Sequence, residues 1–174
     1  MGCPFPFPGS GAQSSSIGCI VRQATCDVVK QGLEDDAMKE RDETEKRIRE
    51  IYAARRRGSV EQVMATFAPQ ARFRLAGNAA LAPMTMPVDG HTQLRSVMKQ
   101  LVDDWDWSDF MIEKIVVDGN QAAVYSRGPM RYGADRQEIE TEILDLLTLE
   151  DGKIIELVEF CDTHMVSRMT GLGA

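Results

Sequence analysis

The chain has 174 residues, a length that suits one domain with a full hydrophobic core. Its net charge of −7 and isoelectric point near 4.9 argue against polyanionic partners, so we expect no nucleic acid or anionic membrane ligand. The four cysteines form no metal-type pair and no apolar run reaches membrane-spanning length, which leads us to expect a cytoplasmic protein with no metal or other cofactor.

The first 37 residues differ from the rest of the chain. Prolines at positions 4, 6 and 8 and a Gly/Ser/Gln cluster up to Ser16 interrupt any periodicity that would bury a face. We predict a loose or disordered extension over 1–37 and one domain over 38–174. The charged helical segment that opens at Met38 leaves open whether the true start lies there.

Two helices are predicted at the beginning of the domain. The apolar spacing after Thr44 has a helical period, and the arginine run at 55–57 before Gly58 is typical of a helix end, where cations complement the helix dipole. Ser59 opens a capping-box pattern, and the apolar spacing up to Phe67 predicts a short second helix.

The second half of the domain has the pattern of an antiparallel meander. A short strand at 72–75 and a long connection at 77–90 precede a third, strongly amphipathic helix at 94–105. Four segments rich in apolar residues follow, with Asp-Gly turns at two of their junctions. These segments are 110–117, 122–132, 139–149 and 154–163. Helices followed by strands predict an α+β domain with three helices packed on one sheet.

The last predicted hairpin, around the turn 151–152, carries two aspartates among apolar residues. A two-residue turn places Asp145 opposite Val158 and Thr141 opposite Asp162. Both aspartates then lie on one face, roughly 13 Å apart at about 3.3 Å per residue, which is too far for a shared proton. Each would act separately on one pocket.

Burial among apolar side chains should raise the pKa of Asp145 and favour its neutral form. The alternative is a structural aspartate that accepts a hydrogen bond from Tyr125 or Arg127. His164 follows Asp162 by two residues and shares its face, which allows a hydrogen-bonded Asp–His pair; simple exposure at the strand end is the alternative there.

Both faces of this hairpin are partly apolar. A sheet that is buried on both sides needs helices on one face and another partner on the other. We therefore expect a homodimer formed through the convex face of the sheet.

Several short stretches between 43 and 166 match a known family. They are 52–58, 60–67, 71–73, Gly90, 151–154 and 159–163. In these stretches the chain resembles the SnoaL-like, ketosteroid-isomerase-related branch of the nuclear transport factor 2-like superfamily. The resemblance implies a cone of three helices wrapped by a curved, mostly antiparallel sheet around an apolar pocket.

The resemblance also implies roles for individual residues. Asp162 matches the acid/base aspartate of SnoaL-like polyketide cyclases, and Asp145 matches the protonated aspartic acid of ketosteroid isomerases, a known example of pKa tuning. The isomerase tyrosine falls at Ile51, with Tyr52 next to it, and the isomerase base falls at Leu75. The isomerase set is therefore incomplete in this chain.

The sequence thus predicts a pocket for a small apolar carbonyl compound, with general acid/base chemistry. Asp162, helped by His164, would move the proton, while neutral Asp145 would donate to the enolate oxygen. The predicted pocket-lining residues are Tyr52, Ile51, Leu75, Trp105, Tyr125, Ile143, Val158 and Phe160. The alternative is a non-catalytic binding or dimerisation module of the same fold.

Overall fold

The computed structural model describes the backbone of residues 16–171 and the side chains of residue 31 and residues 34–171. The chain divides into two compact units, Met1–Lys39 and Glu40–Ala174. Helical backbone begins at Ser16, well before the predicted helix start at Thr44, in a stretch without proline. Residues 1–15 of the predicted extension lie outside the described residues, and the division at 37/38 stays a prediction.

Three of the four α-helices in the described part of the chain match the predicted ones. They are α1 (Ser16–Arg56), α2 (Val60–Met64), α3 (His91–Asp104) and α4 (Thr163–Thr170). The first helix ends as predicted at its arginine run, and Gly58 has a φ of +64° that favours glycine. The Ser59 side chain accepts a hydrogen bond from the Gln62 amide and begins α2.

The strands form one curved, mixed sheet. They are β1 (Phe67–Leu75), β2 (Val88–Asp89), β3 (Trp105–Asp106), β4 (Met111–Asp118), β5 (Gln121–Tyr132), β6 (Gln137–Glu150) and β7 (Lys153–Phe160). The order is β2-β1-β7-β6-β5-β3, and β4 also pairs with β5. Only the β1–β7 pair in the described sheet is parallel. The predicted α+β architecture is confirmed.

Two apolar clusters form the core between the helices and the inward face of the sheet. The first combines α1, α2 and α3 with the sheet and includes Ile48, Met64, Leu94, Val124 and Leu157. The second lies where α3 meets the sheet and is composed of Trp105, Trp107, Phe110, Met130 and Ile143. Burial of these side chains is the main source of stability for such a domain.

The β6–β7 hairpin contains one extra residue that the sequence did not reveal. Its turn pairs Glu150 with Lys153 as predicted, and Leu149 pairs with Ile154. Thr148, however, pairs with Glu156, which leaves Ile155 as the extra residue of a β-bulge. Because side chains alternate along a strand, one extra residue turns every later side chain of β7 to the opposite face.

The predicted register beyond this bulge is wrong. Asp145 lies opposite Glu159, not opposite Val158. The strand also ends at Phe160, so Asp162 has no strand partner and begins α4 instead. The Asp162 side chain accepts a hydrogen bond from the Met165 amide, and aspartate is one of the residues favoured at such a helix start.

The outward face of the sheet carries two apolar rows that cross several strands. One row runs through Val116, Ala123, Leu146 and Val158, and the other through Tyr125, Leu144 and Phe160. Leu146 and Phe160 are each 42% exposed. The prediction that both faces are partly apolar is confirmed.

Candidate acid–base site

A small cavity lies between the helices and the inward face of the sheet. Its volume is about 40 Å³, which is room for roughly three water molecules. Most of its wall is apolar, including Ile51, Val63, Phe67, Phe73, Met98, Leu101, Leu147 and Leu157. One part of the wall is polar, formed by Tyr52, Arg55, Asp145 and Glu159, which we call the carboxylate cluster.

The carboxylate cluster is held together by three hydrogen bonds. The Tyr52 hydroxyl donates to Oδ2 of Asp145. Arg55 donates from Nη1 to the same oxygen at 3.3 Å and from Nη2 to Oε2 of Glu159 at 2.6 Å. The guanidinium also stacks on Trp107, with its carbon 3.9 Å from the ring centroid, so it is fixed on two sides.

The carboxylate cluster is made of two pairs of neighbouring side chains, one on α1 and one on the β6–β7 hairpin. Tyr52 and Arg55 are three residues apart on α1 and therefore lie on one helix face. Asp145 and Glu159 are direct cross-strand neighbours on β6 and β7, so their side chains emerge side by side on the inward face. The bulge at Ile155 is what places Glu159 there.

The carboxylate cluster contains two buried carboxyl groups and only one cation, Arg55. Asp145 is 1% exposed and Glu159 is 5% exposed, yet one guanidinium faces both carboxyl groups. Burial, and then the charge of Glu159, raise the pKa of Asp145 to about 7, although Arg55 and Tyr52 act in the opposite direction. This is the direction that the sequence predicted. Near neutral pH the cluster therefore holds a proton, which belongs to the coupled groups together.

The other two members of the cluster keep their usual protonation states. Burial and the charge of Asp145 raise the pKa of Tyr52 well above its usual value, so its hydroxyl stays a donor. Burial opposes the charge on Arg55, but the charges of Glu159 and Asp145 outweigh it and raise its pKa. The cluster thus contains a permanent cation, a neutral phenol and two carboxyl groups.

One oxygen of Asp145 is free to act on a ligand. Oδ1 is buried and has no hydrogen-bond partner among the described residues, while Oδ2 accepts bonds from both Tyr52 and Arg55. When Asp145 is neutral, its proton is therefore expected on Oδ1. A carboxylic acid in an apolar cavity can donate this proton, or a hydrogen bond, to a ligand oxygen.

The fold and this site can be compared with known proteins. The profile of the SnoaL-like domain matches residues 48–157. The chain belongs to this family. Comparison with curated proteins finds no match.

Solved structures with the same fold have low sequence identity to this SnoaL-like chain. A candidate isomerase from Bacillus subtilis is 13% identical, with a TM-score of 0.66, and the match covers 78% of this chain and 96% of that one. An NTF2-like protein from Burkholderia xenovorans is 18% identical (TM-score 0.58, 74% and 96% covered). An LEH-like epoxide hydrolase from M. tuberculosis is 13% identical (TM-score 0.57, 75% and 92% covered). These likenesses show a shared fold.

In this SnoaL-like domain the two predicted aspartates do not share a wall. Asp162 is exposed, and its side chain accepts a hydrogen bond from the Met165 amide at the start of α4. His164 is exposed on the same helix. Neither residue lines the cavity with Asp145, because the strand ends two residues before Asp162. A catalytic role for Asp162 or His164 stays a prediction, without geometric support from the cavity.

The other predicted pocket residues divide into three groups. Ile51 and Tyr52 line the cavity. Leu75, Trp105 and Ile143 are buried but lie outside its wall, and the last two belong to the second apolar cluster. Tyr125, Val158 and Phe160 lie on the outward face, the last two because of the bulge. The partners of Asp145 are Tyr52 and Arg55, so the alternative partners Tyr125 and Arg127 are wrong.

Sequence reasoning missed Arg55 and Glu159. It assigned Arg55 to the helix dipole, although its spacing of three from Tyr52 already placed it on the apolar face of α1. Glu159 was assigned to the opposite face of β7, and no local signal in the sequence marks the bulge that turns it inward.

Two further findings concern the described residues. None of their helices is long and apolar enough to cross a membrane. They also contain no group of three or more His, Cys, Asp or Glu side chains arranged to hold a metal ion.

Proposed function

We propose that this SnoaL-like protein binds a small apolar carbonyl compound in its cavity and performs general acid/base chemistry on it. The observation that supports this most directly is Asp145, a buried carboxyl group with a raised pKa and one oxygen without a partner. Perturbed carboxyl groups of this kind are concentrated at functional sites. The apolar wall faces the rest of the ligand, and it has to open to admit a ketone, because a volume of about 40 Å³ holds only roughly three water molecules.

Neutral Asp145 is the proposed acid. Its Oδ1 proton is donated to the carbonyl oxygen of the ligand, while Tyr52 and Arg55 hold Oδ2 in place. Negative charge builds up on this oxygen when the carbonyl compound becomes an enolate. The hydrogen bond is then stronger in the transition state than in the bound ground state, which is the condition for catalysis.

Glu159 is the proposed base, in place of the predicted Asp162. It lies on the same cavity wall and is bound to the same guanidinium as Asp145. The bond from the α-carbon of the ligand to its proton breaks, the proton moves to Glu159, and the electron pair moves toward the carbonyl oxygen. Return of the proton to the γ-carbon of a β,γ-unsaturated ketone gives the conjugated isomer. If the proton on Glu159 is first replaced by one from solvent, reprotonation of the α-carbon gives exchange with solvent.

Exchange of α-protons in deuterium oxide tests this proposal. Cyclopentanone is incubated with the protein, and loss of its α-proton signal is followed by NMR. We expect exchange above the buffer rate, and a fall of about 10²-fold or more in Glu159→Gln and in Asp145→Asn, since general acid/base catalysis contributes on that order. Glu150→Gln, at the exposed turn of the same hairpin, is the matched control and should leave the rate unchanged.

The remaining outcomes distinguish the alternatives. Binding of the ketone without exchange identifies a non-catalytic binding module. A loss of exchange in Asp162→Asn, with Glu159→Gln active, restores the mechanism predicted from sequence. Absence of binding to any small ketone contradicts the proposal as a whole.

We also propose that a second copy of the chain covers the outward face of the sheet. One apolar row there crosses four strands and the other crosses three, and large exposed apolar surfaces are typical of interfaces. The row through Leu146 occurs once in each copy, so two copies can pair these rows about a two-fold axis. Sedimentation should give a dimer for the native protein and a monomer for Leu146→Glu; an unchanged mass in the variant contradicts this interface.

A further inference from the structure

A second buried oxygen without a partner lies beside Asp145. Ser126 is 1% exposed, and its Oγ has no hydrogen-bond partner among the described residues. Buried hydroxyl groups are nearly always hydrogen-bonded, so each exception needs a physical explanation. Ser126 Oγ and Asp145 Oδ1 are such exceptions on the same inward face of the sheet.

The strand register makes these two residues neighbours. Val124 of β5 lies directly opposite Asp145 of β6, and Ser126 follows two residues later on the same face. Such diagonal neighbours have Cβ atoms roughly 7 Å apart or somewhat less. The two side chains do not bond to each other, but one oxygen atom between them could bond to both, since two hydrogen bonds together span roughly 5.5 Å.

Apolar residues flank Ser126 on the inward face of the sheet. The first apolar cluster contributes Val124 on one side, and the second contributes Met130 and Ile143 on the other. Ser126 thus extends the polar strip of the carboxylate cluster across the boundary between the two apolar clusters. An alanine would fill this position in an ordinary core without leaving a hydroxyl unsatisfied.

We infer that Ser126 is a second hydrogen-bond donor to the carbonyl oxygen of the ligand, next to Oδ1 of Asp145. This inference rests on the proposed function. The Tyr52 hydroxyl is already committed to Oδ2 of Asp145 and is not available for the ligand. Ser126 does not itself line the cavity, so the inference requires that its hydroxyl, on the residue diagonal to Asp145, reach an oxygen that is bound to Oδ1. Two donors on one oxygen form an oxyanion hole for an enolate.

The test uses cyclopentanone labelled with ¹³C at the carbonyl carbon. Native protein, Ser126→Ala and the exposed control Ser96→Ala are compared by the ¹³C shift of the bound ketone, by its dissociation constant and by the α-exchange rate. For Ser126→Ala we expect an upfield move of the carbonyl resonance and binding weaker by roughly 2- to 10-fold, as for the loss of one neutral hydrogen bond. The exchange rate should fall further, by about 10²-fold, because the bond strengthens as charge develops.

The outcomes separate this inference from the proposed function. If the native protein catalyses exchange and Ser126→Ala changes neither the rate nor the carbonyl shift, the inference fails and the proposed function stands. If the native protein neither binds the ketone nor exchanges its protons, both fail.

A measurement without ligand tests the alternative that a water molecule already occupies the position. A hydroxyl that is unsatisfied in the free protein can be removed without loss, so the melting temperature of Ser126→Ala should equal or exceed that of the native protein. A melting temperature several degrees lower would mean that the hydroxyl is already hydrogen-bonded to a structural water, and would overturn the ligand-oxygen site.

Discussion

Glu159 and Asp162 are acidic residues three positions apart at the end of the same hairpin, and their surroundings are opposite. Glu159 is 5% exposed, lies on the cavity wall and is paired with Arg55. Asp162 is exposed and holds the first turn of α4. The comparison teaches that the role of an acidic residue here depends on strand register and on where the strand ends, more than on its apolar neighbours in the sequence.

The largest effect expected is the loss of stability when Arg55, the cation that binds both Asp145 and Glu159, is removed. Arg55→Met leaves Asp145 and Glu159 buried without their partner, and loss of one member of a buried ion pair costs about 3–5 kcal/mol. Urea unfolding measures this loss. The exposed Arg57→Met is the matched control and should stay within about 0.5 kcal/mol of the native protein. Equal stabilities for both variants would contradict a buried cluster.

Buried Asp145 should make the stability of the protein depend steeply on pH. Its pKa of about 7 in the folded protein lies above the ordinary value of 3.8. Native protein thus binds a proton that the unfolded chain releases, so this contribution is complete below about pH 4 and is lost as the pH rises to about 7.

Asp145→Asn should remove this dependence, because an amide does not titrate. Tyr52, Arg55 and Glu159 still face the position. The free energy of unfolding, measured between pH 4.5 and 6.5 in steps of about one unit, should lose a slope of up to about 1.4 kcal/mol per pH unit. Asp118→Asn, at an exposed turn, should retain the native slope. Parallel curves for native protein and Asp145→Asn would exclude a raised pKa.

The coupling of the two carboxyl groups should be visible in the pKa of Asp145 itself. The charge of Glu159 is the second cause, after burial, of its elevation. Glu159→Gln should therefore lower the pKa of Asp145 below 7, as measured by ¹³C NMR of the side-chain carboxyl. Glu156→Gln, which changes an exposed residue of the same strand, should leave that pKa in place. Equal shifts in the two variants would mean that Glu159 has no special contact with the cluster.

The smallest loss of stability is expected for changes to exposed Asp162. Asp162→Ala removes the cap of α4 and should cost about 1 kcal/mol, whereas Asp162→Asn keeps a capping oxygen and should cost little. Neither variant should move the pKa of Asp145. A shift of that pKa in Asp162→Asn would place Asp162 closer to the cluster than its position at α4 allows.

The sequence was sufficient for the elements whose signals are local. The capping pattern at Ser59, the helix end at Gly58 and the Asp-Gly turn before Lys153 all depend on a few neighbouring residues, and the structure has each of them. Helical and strand periodicities over longer segments likewise predicted α1 to α3, β1 and β4 to β7, but not the two-residue strands β2 and β3 or the helix α4. The raised pKa of Asp145 followed from the apolar residues that flank it in the sequence.

The remainder of the site depends on contacts between distant segments. Arg55 and Glu159 are 104 positions apart, and only the packing of α1 on the sheet brings them together. The bulge at Ile155 lies in the strand that pairs with both β1 and β6, and no residue type in the segment marks it locally. An error of one position at the bulge was enough to exchange Glu159 for Val158 opposite Asp145.

The two acids of the cavity wall depend on the bulge at Ile155. If Ile155 paired with Thr148 instead of bulging, the simple register would return and turn Val158 and Phe160 inward, with Glu159 outward. The cavity would then lose its second acid without any substitution of an acidic residue. A related chain without this extra residue would keep its acid opposite Asp145 in an unbulged strand, so alignments need a gap there before acidic positions are compared.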